Sequence, residues 1–445
     1  MYYLARRTFA TENDWKLFNK VAHRILPIIL IQYIISFLDR INIGFAKLHM
    51  AADIGLSNTA FGVGAGIFFV GYCIFEIPSN MLLARLGAKL WLSAIMVVWG
   101  AIEICMFVVR DTSSFYTMRF LLGIAEAGFY PGLILYLTYW FPGFVRSQVQ
   151  SFLSLGIALA GLVGGPLSGW IMQTFHNTLG LADWQWLFIL EGIPAVLVGI
   201  FSWFYLDNGP SDVAWLDESE RTQLIRQLKD EQADSLRHGA VHDYRGALLS
   251  PTIWCLIGAN FALLSLTYGI SFWLPQIIKE LGVAGMKSNG LMAAIPYAFA
   301  GVVMFFVSQH SDMKRERRWH SIISLVCAAA GLVMAALCRD DTVLSMIGIS
   351  VALAGTLSGF NVVWAMPSTL LSAAAAPAGI ALMATVGNLG GYVSPFAIGW
   401  LADTTGQIYT GLYFVAAIAI AGALCIALMP RARIDATRMK ASTSA

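Results

Sequence analysis

Twelve apolar stretches, each long enough to cross a lipid bilayer as a helix, dominate this 445-residue chain. Their approximate limits are 23–46, 60–83, 91–110, 115–141, 147–174, 186–206, 252–278, 289–310, 319–338, 343–366, 378–401 and 408–429. A span needs roughly 20 apolar residues, so most of these runs leave room for tilt. Backbone facing lipid must satisfy its own hydrogen bonds, which makes helices the default for runs of this length. The expected fold class is therefore an all-α membrane protein with 12 transmembrane helices. Only 12% of the residues are charged, against about 25% in soluble domains. That excludes an ordinary soluble enzyme, and a net charge of +2 gives no reason to expect a nucleic-acid partner.

The layout follows from the basic residues. Of the 28 lysines and arginines, only Lys47, Arg110, Lys279, Lys287 and Arg339 fall in the loops on the side away from the N-terminus. Arg40 and Arg119 lie within apolar runs. The positive-inside rule then puts both termini in the cytoplasm. A polar stretch at 207–250 divides the spans six and six, and its part from about 212 to 234 has a helical pattern. The expected domains are a leader at 1–22, six-helix bundles at 23–206 and 251–430, the central loop at 207–250 and a tail at 431–445. The loops Ala84–Trp91 and Asp312–Trp319 are both short, basic and followed by tryptophan, a weak internal repeat that suits two parallel halves.

Ionisable residues inside a membrane are costly and mark functional sites or buried pairs. Here they are Asp39, Arg40, Glu76, Glu103, Arg119, Glu126 and Glu191, all in the first half. Arg119 and Glu126 are seven residues apart, so they share a helix face at about 10 Å along the axis. Asp39 and Arg40 are neighbours and point about 100° apart, so they cannot face one partner squarely. The set suggests a cross-helix arrangement between spans one and four. Arginine suits a carboxylate ligand because its planar fork binds bidentately, so Arg40 and Arg119 are candidates to bind an anion. Asp39 and Glu126 are the candidate proton carriers, because protonating either frees an arginine. Glu76, Glu103 and Glu191 are read as structural. Tyr72, Asn361 and Asn388 are the polar candidates to line a pocket, with Tyr268, Trp273, Tyr297 and Trp364 behind them. The glycines and proline at 161, 165, 166 and 169 are read as helix packing. The cysteines and histidines show no CxxC or Cys/His spacing, so neither disulfide nor metal site is expected. No nucleophile–base constellation or nucleotide-binding loop appears either, and neither enzyme activity nor a cofactor is expected.

The layout and several motifs resemble the major facilitator superfamily. Phe37–Gly44 (FLDRINIG), Ile77-Pro78-Ser79-Asn80 and Arg119–Gly132 (RFLLGIAEAGFYPG) are similar to signatures of its anion:cation symporter family. So are Trp184–Phe188, Leu190–Pro194 and the loop from His310 to His320. Within that family the chain resembles bacterial hydroxyphenylacetate, phthalate, tartrate and rhamnonate permeases. The resemblance implies two six-helix bundles in the bacterial inner membrane. It also implies import of an organic anion with protons by alternating access, a monomeric state, and roles for Asp39, Arg40, Arg119 and Glu126 as assigned above. The alternatives are a proton-driven exporter and an anion exchanger of the same fold. Arg85, Asp312 and Arg317 are the expected gating-loop residues. The superfamily's acid before the first-half arginine is replaced here by Ala84, whereas Asp312 keeps it in the second half.

Overall fold

The computed structural model describes residues 3–4, 6–9, 11–237, 250–367 and 376–429. The expected tail at 431–445 and part of the central loop lie outside the described residues. Among the described residues there is no strand. The first bundle contains α1 (Glu12–Asp53), α2 (Asn58–Leu86), α3 (Ala88–Cys105), α4 (Thr112–Glu126), α5 (Phe129–Thr138), α6 (Gly143–Thr174) and α7 (Asp183–Tyr205). Next comes α8 (Glu218–Arg237). The second bundle contains α9 (Pro251–Glu280), α10 (Met286–Lys314), α11 (Arg318–Leu337), α12 (Thr342–Trp364), α13 (Ala376–Asn388), α14 (Gly390–Thr405) and α15 (Tyr409–Leu428).

Eleven spans by length and apolarity are found among the described residues, with α4 and α5 together forming one. The twelfth apolar run is present as α13 and α14, which meet at Leu389. Two runs expected as single helices are thus broken. In the run 115–141 the break falls at Ala127 and Gly128. Gly128 adopts a left-handed conformation with φ of 81°, and a Cβ there would stand 2.3 Å from Ser79 Oγ. Only glycine fits both the angle and the space.

The helix ends carry the residues that satisfy first-turn N–H groups. Thr11 accepts from Asp14 N, Ser57 from Ala60 N, and Asp341 from Val343 N and Leu344 N. Asp111 and Ser114 form a reciprocal capping box at the start of α4. α1, at 42 residues, is about 60 Å long and overshoots the roughly 30 Å apolar core of a bilayer. The expected boundary at 22/23 therefore falls inside α1. Its N-terminal extension meets α8, where Lys20 pairs with Glu220 at 2.5 Å and Gln223 and Gln227 donate to Asp14.

The bundles meet along α6 and α10, α2 and α14, and α1 and α9. Several polar links between them lie toward the face opposite the N-terminus. Asn58 and Thr59 at the start of α2 donate to Asp403 near the end of α14. Lys279 donates to Leu48 O, and the Lys47 ammonium lies 3.7 Å from the centre of the Trp273 ring. Along α6 and α10 backbone meets backbone. A Cβ on Gly165 would stand 2.6 Å from Gly290 O, and one on Gly169 would stand 2.4 Å from Met286 O. Small residues allow this approach, and dispersion between the two backbones replaces side-chain packing.

This seam makes a prediction. A Cβ on Gly290 would lie 2.1 Å from Gly165 O, a backbone atom that cannot rotate aside. Gly290→Ala is expected to cost about 1–3 kcal/mol by overpacking and to lower the thermal unfolding midpoint in detergent. Gly285→Ala, where no atom lies closer than 3.8 Å, is the control and should leave the midpoint unchanged. Equal midpoints for the two variants would refute the close backbone approach.

Candidate functional site

The site is organised by the break after α4. Because that helix stops at Glu126, the carboxylate sits at a helix end in the bundle interior, 2% exposed, and faces α1. Arg40 meets it with two nitrogens. Nη2 lies 2.6 Å and Nε 2.8 Å from the same oxygen, Oε1. The third arm, Nη1, crosses to the other bundle and donates to Tyr268 Oη on α9 at 2.9 Å. The Arg40 guanidinium also lies 5.3 Å from the Tyr72 ring centre and 5.5 Å from that of Phe68, within cation–π range. Arg40 keeps 12% of its side chain exposed, so this group is accessible where the others are not. Tyr33 and Tyr130 stand with ring centres 5.4 Å apart, and Tyr268 rests on Phe69 at 4.4 Å.

Asp39 and Arg40 diverge as their 100° separation requires. Asp39 turns into the first bundle and accepts from Trp99 Nε1 on α3 at 2.6 Å, while its other oxygen is buried without a hydrogen-bond partner. Two further carboxylates share this arrangement. Glu103 accepts from Asn42 Nδ2 at 2.8 Å and Glu191 from Ser168 Oγ at 2.7 Å, each with its second oxygen buried and unpartnered. Asp39, Glu103 and Glu191 thus stand apart from the Arg40 pair and bind neighbouring helices. Glu76 is linked to the other bundle through Thr385 Oγ1 at 3.4 Å, and Cys73 Sγ donates to Thr385 O.

Arg119 is fully buried. Its Nη2 lies 3.5 Å from Ala65 O, its guanidinium is 5.1 Å from the Phe68 ring centre, and Nε and Nη1 have no hydrogen-bond partner. It is not joined to Glu126, which lies seven residues, about two turns, further along α4 and bonds to Arg40 instead. Arg119 adds positive charge beside the site without contacting the open side of Arg40.

The second bundle contributes hydroxyls, amides and aromatic rings rather than buried charge. Among the described residues none of its buried side chains is charged. Asn361 donates to Ser308 Oγ at a long 3.4 Å, and Asn388 is the last residue of α13 beside the break at Leu389. Neither is joined to the Arg40 group by a hydrogen bond among the described residues. Trp364 donates to Asn260, and Tyr297 is bonded to Ser271, so both are engaged within their own bundle. Tyr268 is the second-bundle residue that reaches the site. Its position in an apolar run marked it only as one aromatic among several.

The gating-loop candidates differ between the halves. Arg85 is exposed and pairs with no carboxylate among the described residues. Arg317 donates to Ala365 O at the end of α12, and Arg318 to Ala427 O near the end of α15. Burial lowers the pKa of the Arg317 guanidinium from its ordinary value, and the Asp312 carboxylate opposes that shift. Arginines at helix C-termini satisfy the last carbonyls and the negative end of the helix dipole. Among the described residues His49, His176 and Asp183 bring three donor atoms within 4.8 Å of one another, a grouping that no sequence spacing announces.

The model of the Major Facilitator Superfamily matches residues 29–395. The chain belongs to that superfamily. It is 41% identical over 433 residues to a "putative tartrate transporter" of Agrobacterium vitis, covering 97% of this chain and 95% of that one. It is 35% identical to a "quinolone resistance transporter" of Acinetobacter baumannii, covering 90% of this chain and 92% of that one. In structure it is similar to the xylose transporter XylE from E. coli in a partially occluded inward-open conformation. There the TM-score is 0.73 at 14% identity, covering 92% of this chain and 99% of XylE. This superfamily member is a multi-pass membrane transporter of the two-bundle fold, not an enzyme. Its Arg40 group lies where the two bundles face one another and is held by residues of both.

The Arg40–Tyr268 bond can be tested by a double-mutant cycle. A hydrogen bond to a charged group contributes about 1.5–3 kcal/mol. Tyr268→Phe should lower the unfolding midpoint in the wild-type background and have little effect on top of Arg40→Gln, because the ring contact with Phe69 is kept. An equal loss in both backgrounds would mean that the hydroxyl is not coupled to Arg40.

Proposed function

We propose that this transporter imports an organic anion together with protons, by alternating access, acting as a monomer in a bacterial cytoplasmic membrane with both termini inside. One observation carries the reading: Glu126 occupies the Nε/Nη2 edge of Arg40. That is the edge a substrate carboxylate would take in a bidentate pair. The two carboxylates therefore compete. Protonating Glu126 removes its charge and releases the edge, and the anion then takes its place. When the anion leaves, Glu126 gives up its proton and restores the pair with Arg40. Proton and anion thus bind together and leave together.

The remaining residues fit around this exchange. Arg119 supports the anion through its charge, and Asp39 holds α1 to α3 and serves as a second proton carrier. Tyr72 and Tyr268 line the site from the two bundles, with Asn361 and Asn388 as further polar contacts from the second. Arg85, Asp312 and Arg317 act in the loops at the cytoplasmic face. The substrate class is a mono- or dicarboxylate, aromatic or hydroxylated. The relative named as a tartrate transporter supports this choice, as does the Arg40 fork. Export is the second reading, favoured by the relative named for quinolone resistance.

The test uses the purified protein in liposomes with labelled tartrate, sugar acids, phthalate and hydroxyphenylacetate, under a pH gradient imposed in either direction. Accumulation of one acid with the acidic side outside the vesicle is expected. Exchange indifferent to pH would reduce the protein to an anion exchanger. Glu126→Gln is expected to keep exchange and lose pH-driven accumulation, and full accumulation in that variant would remove Glu126 from coupling. Arg40→Lys replaces the fork by a point charge and should cut uptake about tenfold or more, the equivalent of one lost charge-assisted bond. Near-normal uptake would sink the assignment of Arg40 to the anion.

A further inference from the structure

Three side chains far apart in sequence meet at the face opposite the N-terminus. His49 comes from the last turns of α1, His176 from the turn after α6, and Asp183 from the first position of α7. His49 Nδ1 lies 2.6 Å and His176 Nδ1 3.3 Å from the same carboxylate oxygen, Asp183 Oδ2. The three donor atoms fall within 4.8 Å of one another, the one such group among the described residues. We infer that His49, His176 and Asp183 form a binding site for a divalent transition-metal ion, with Zn²⁺ the best match.

The donor set is the first argument. Two neutral imidazoles and one carboxylate suit zinc, and three protein ligands leave a fourth position for water. The geometry is the second. An ion about 2.0–2.1 Å from each tetrahedral ligand sets those ligands roughly 3.3 Å apart. The His176 distance already has that value, the His49 imidazole swings outward from the carboxylate by a fraction of an ångström, and the two imidazole donors, within 4.8 Å of each other, settle to the same spacing. The support around the ligands is the third argument. Asp183 is 3% exposed and its Oδ1 accepts from Trp184 N, which leaves Oδ2 turned toward the imidazoles. Trp184 is itself anchored through Nε1 to Asp53 Oδ2 at 2.7 Å. The Asn177 side-chain amide lies 3.3 Å from His176 Nε2, the ring nitrogen turned away from the group. With that amide turned over, its oxygen accepts the Nε2 proton that a metal-bound Nδ1 leaves there, an acceptor of the kind that orients metal-binding histidines. Access is open, since the His176 side chain is 63% exposed.

The place also matters. Lys47 and Leu48, just before His49, make the contacts with Trp273 and Lys279 of the other bundle. An ion held here would tie the end of α1 to α7, next to the point where the bundles touch.

The experiment is calorimetric titration of Zn²⁺ into the detergent-solubilised full chain, with any affinity tag removed. All proteins carry His310→Ala, which disrupts the His310–His320 pair on the other face. One equivalent of saturable Zn²⁺ binding is expected. His176→Ala and His49→Ala should each weaken it at least about tenfold. His176 is exposed, and among the described residues its hydrogen-bonding neighbours are Asp183 and Asn177 with an edge contact to the His49 ring, so its loss should leave the unfolding midpoint nearly unchanged. Absence of saturable binding, or binding indifferent to both substitutions, would overturn the site.

Discussion

A guanidinium buried between two helix bundles needs a counter-charge, and the Arg40–Glu126 pair supplies it. Removing one partner of a buried pair typically costs 3–5 kcal/mol because the other charge is left behind. Much of the first bundle is arranged to keep the pair intact. α4 stops at Glu126 rather than running on, which is possible because Gly128 takes a left-handed turn against Ser79. The Ile77–Asn80 motif of α2 is thereby explained as packing for the break: Ser79 fills the space a Cβ would need and accepts from Trp91. Tyr268 then extends the pair into the second bundle.

Charge is distributed unequally between the bundles. Asp39, Glu103, Arg119, Glu126 and Glu191 are all buried in the first. Three of these carboxylates have one oxygen bonded and one without a partner. The second bundle presents hydroxyls, amides and aromatic rings. On the proposed mechanism, proton chemistry and anion charge are thus confined to one half, while the other shapes the volume around the ligand. Changes in the second bundle would then alter which acid fits without disturbing the Arg40–Glu126 pair.

Much of this was legible in the sequence. The apolar runs, the two basic loops and the polar stretch after Tyr205 mark out the spans and their division. Asp39, Arg40, Arg119 and Glu126 stand out as a cross-helix set between spans one and four, because neighbouring charges diverge on a helix while residues seven apart align. That Arg40 rather than Arg119 takes Glu126 depends on packing. The misses have physical causes. An apolar run does not reveal where a helix breaks, so the stops at Gly128 and Leu389 were hidden, although glycines at 128 and 132 with Pro131 between them were a hint. Lys47 reads as an exposed loop cation, yet it is 4% exposed and lies on Trp273. That contact needs the second bundle in place. His49 and Asp183 are 134 residues apart, and only the packing of α1 beside α7 brings them together.

The seam between α6 and α10 has one more consequence. Gly165, Gly169 and Gly290 meet there with no side chains of their own. A residue that loses rotamer freedom on burial costs up to about 2 kcal/mol, whereas glycine loses none from its side chain. Parting and rejoining these helices therefore changes little side-chain entropy in either direction. A hinge line built this way can open and close repeatedly with small thermal bias, leaving the balance between states to the few polar bonds that span it.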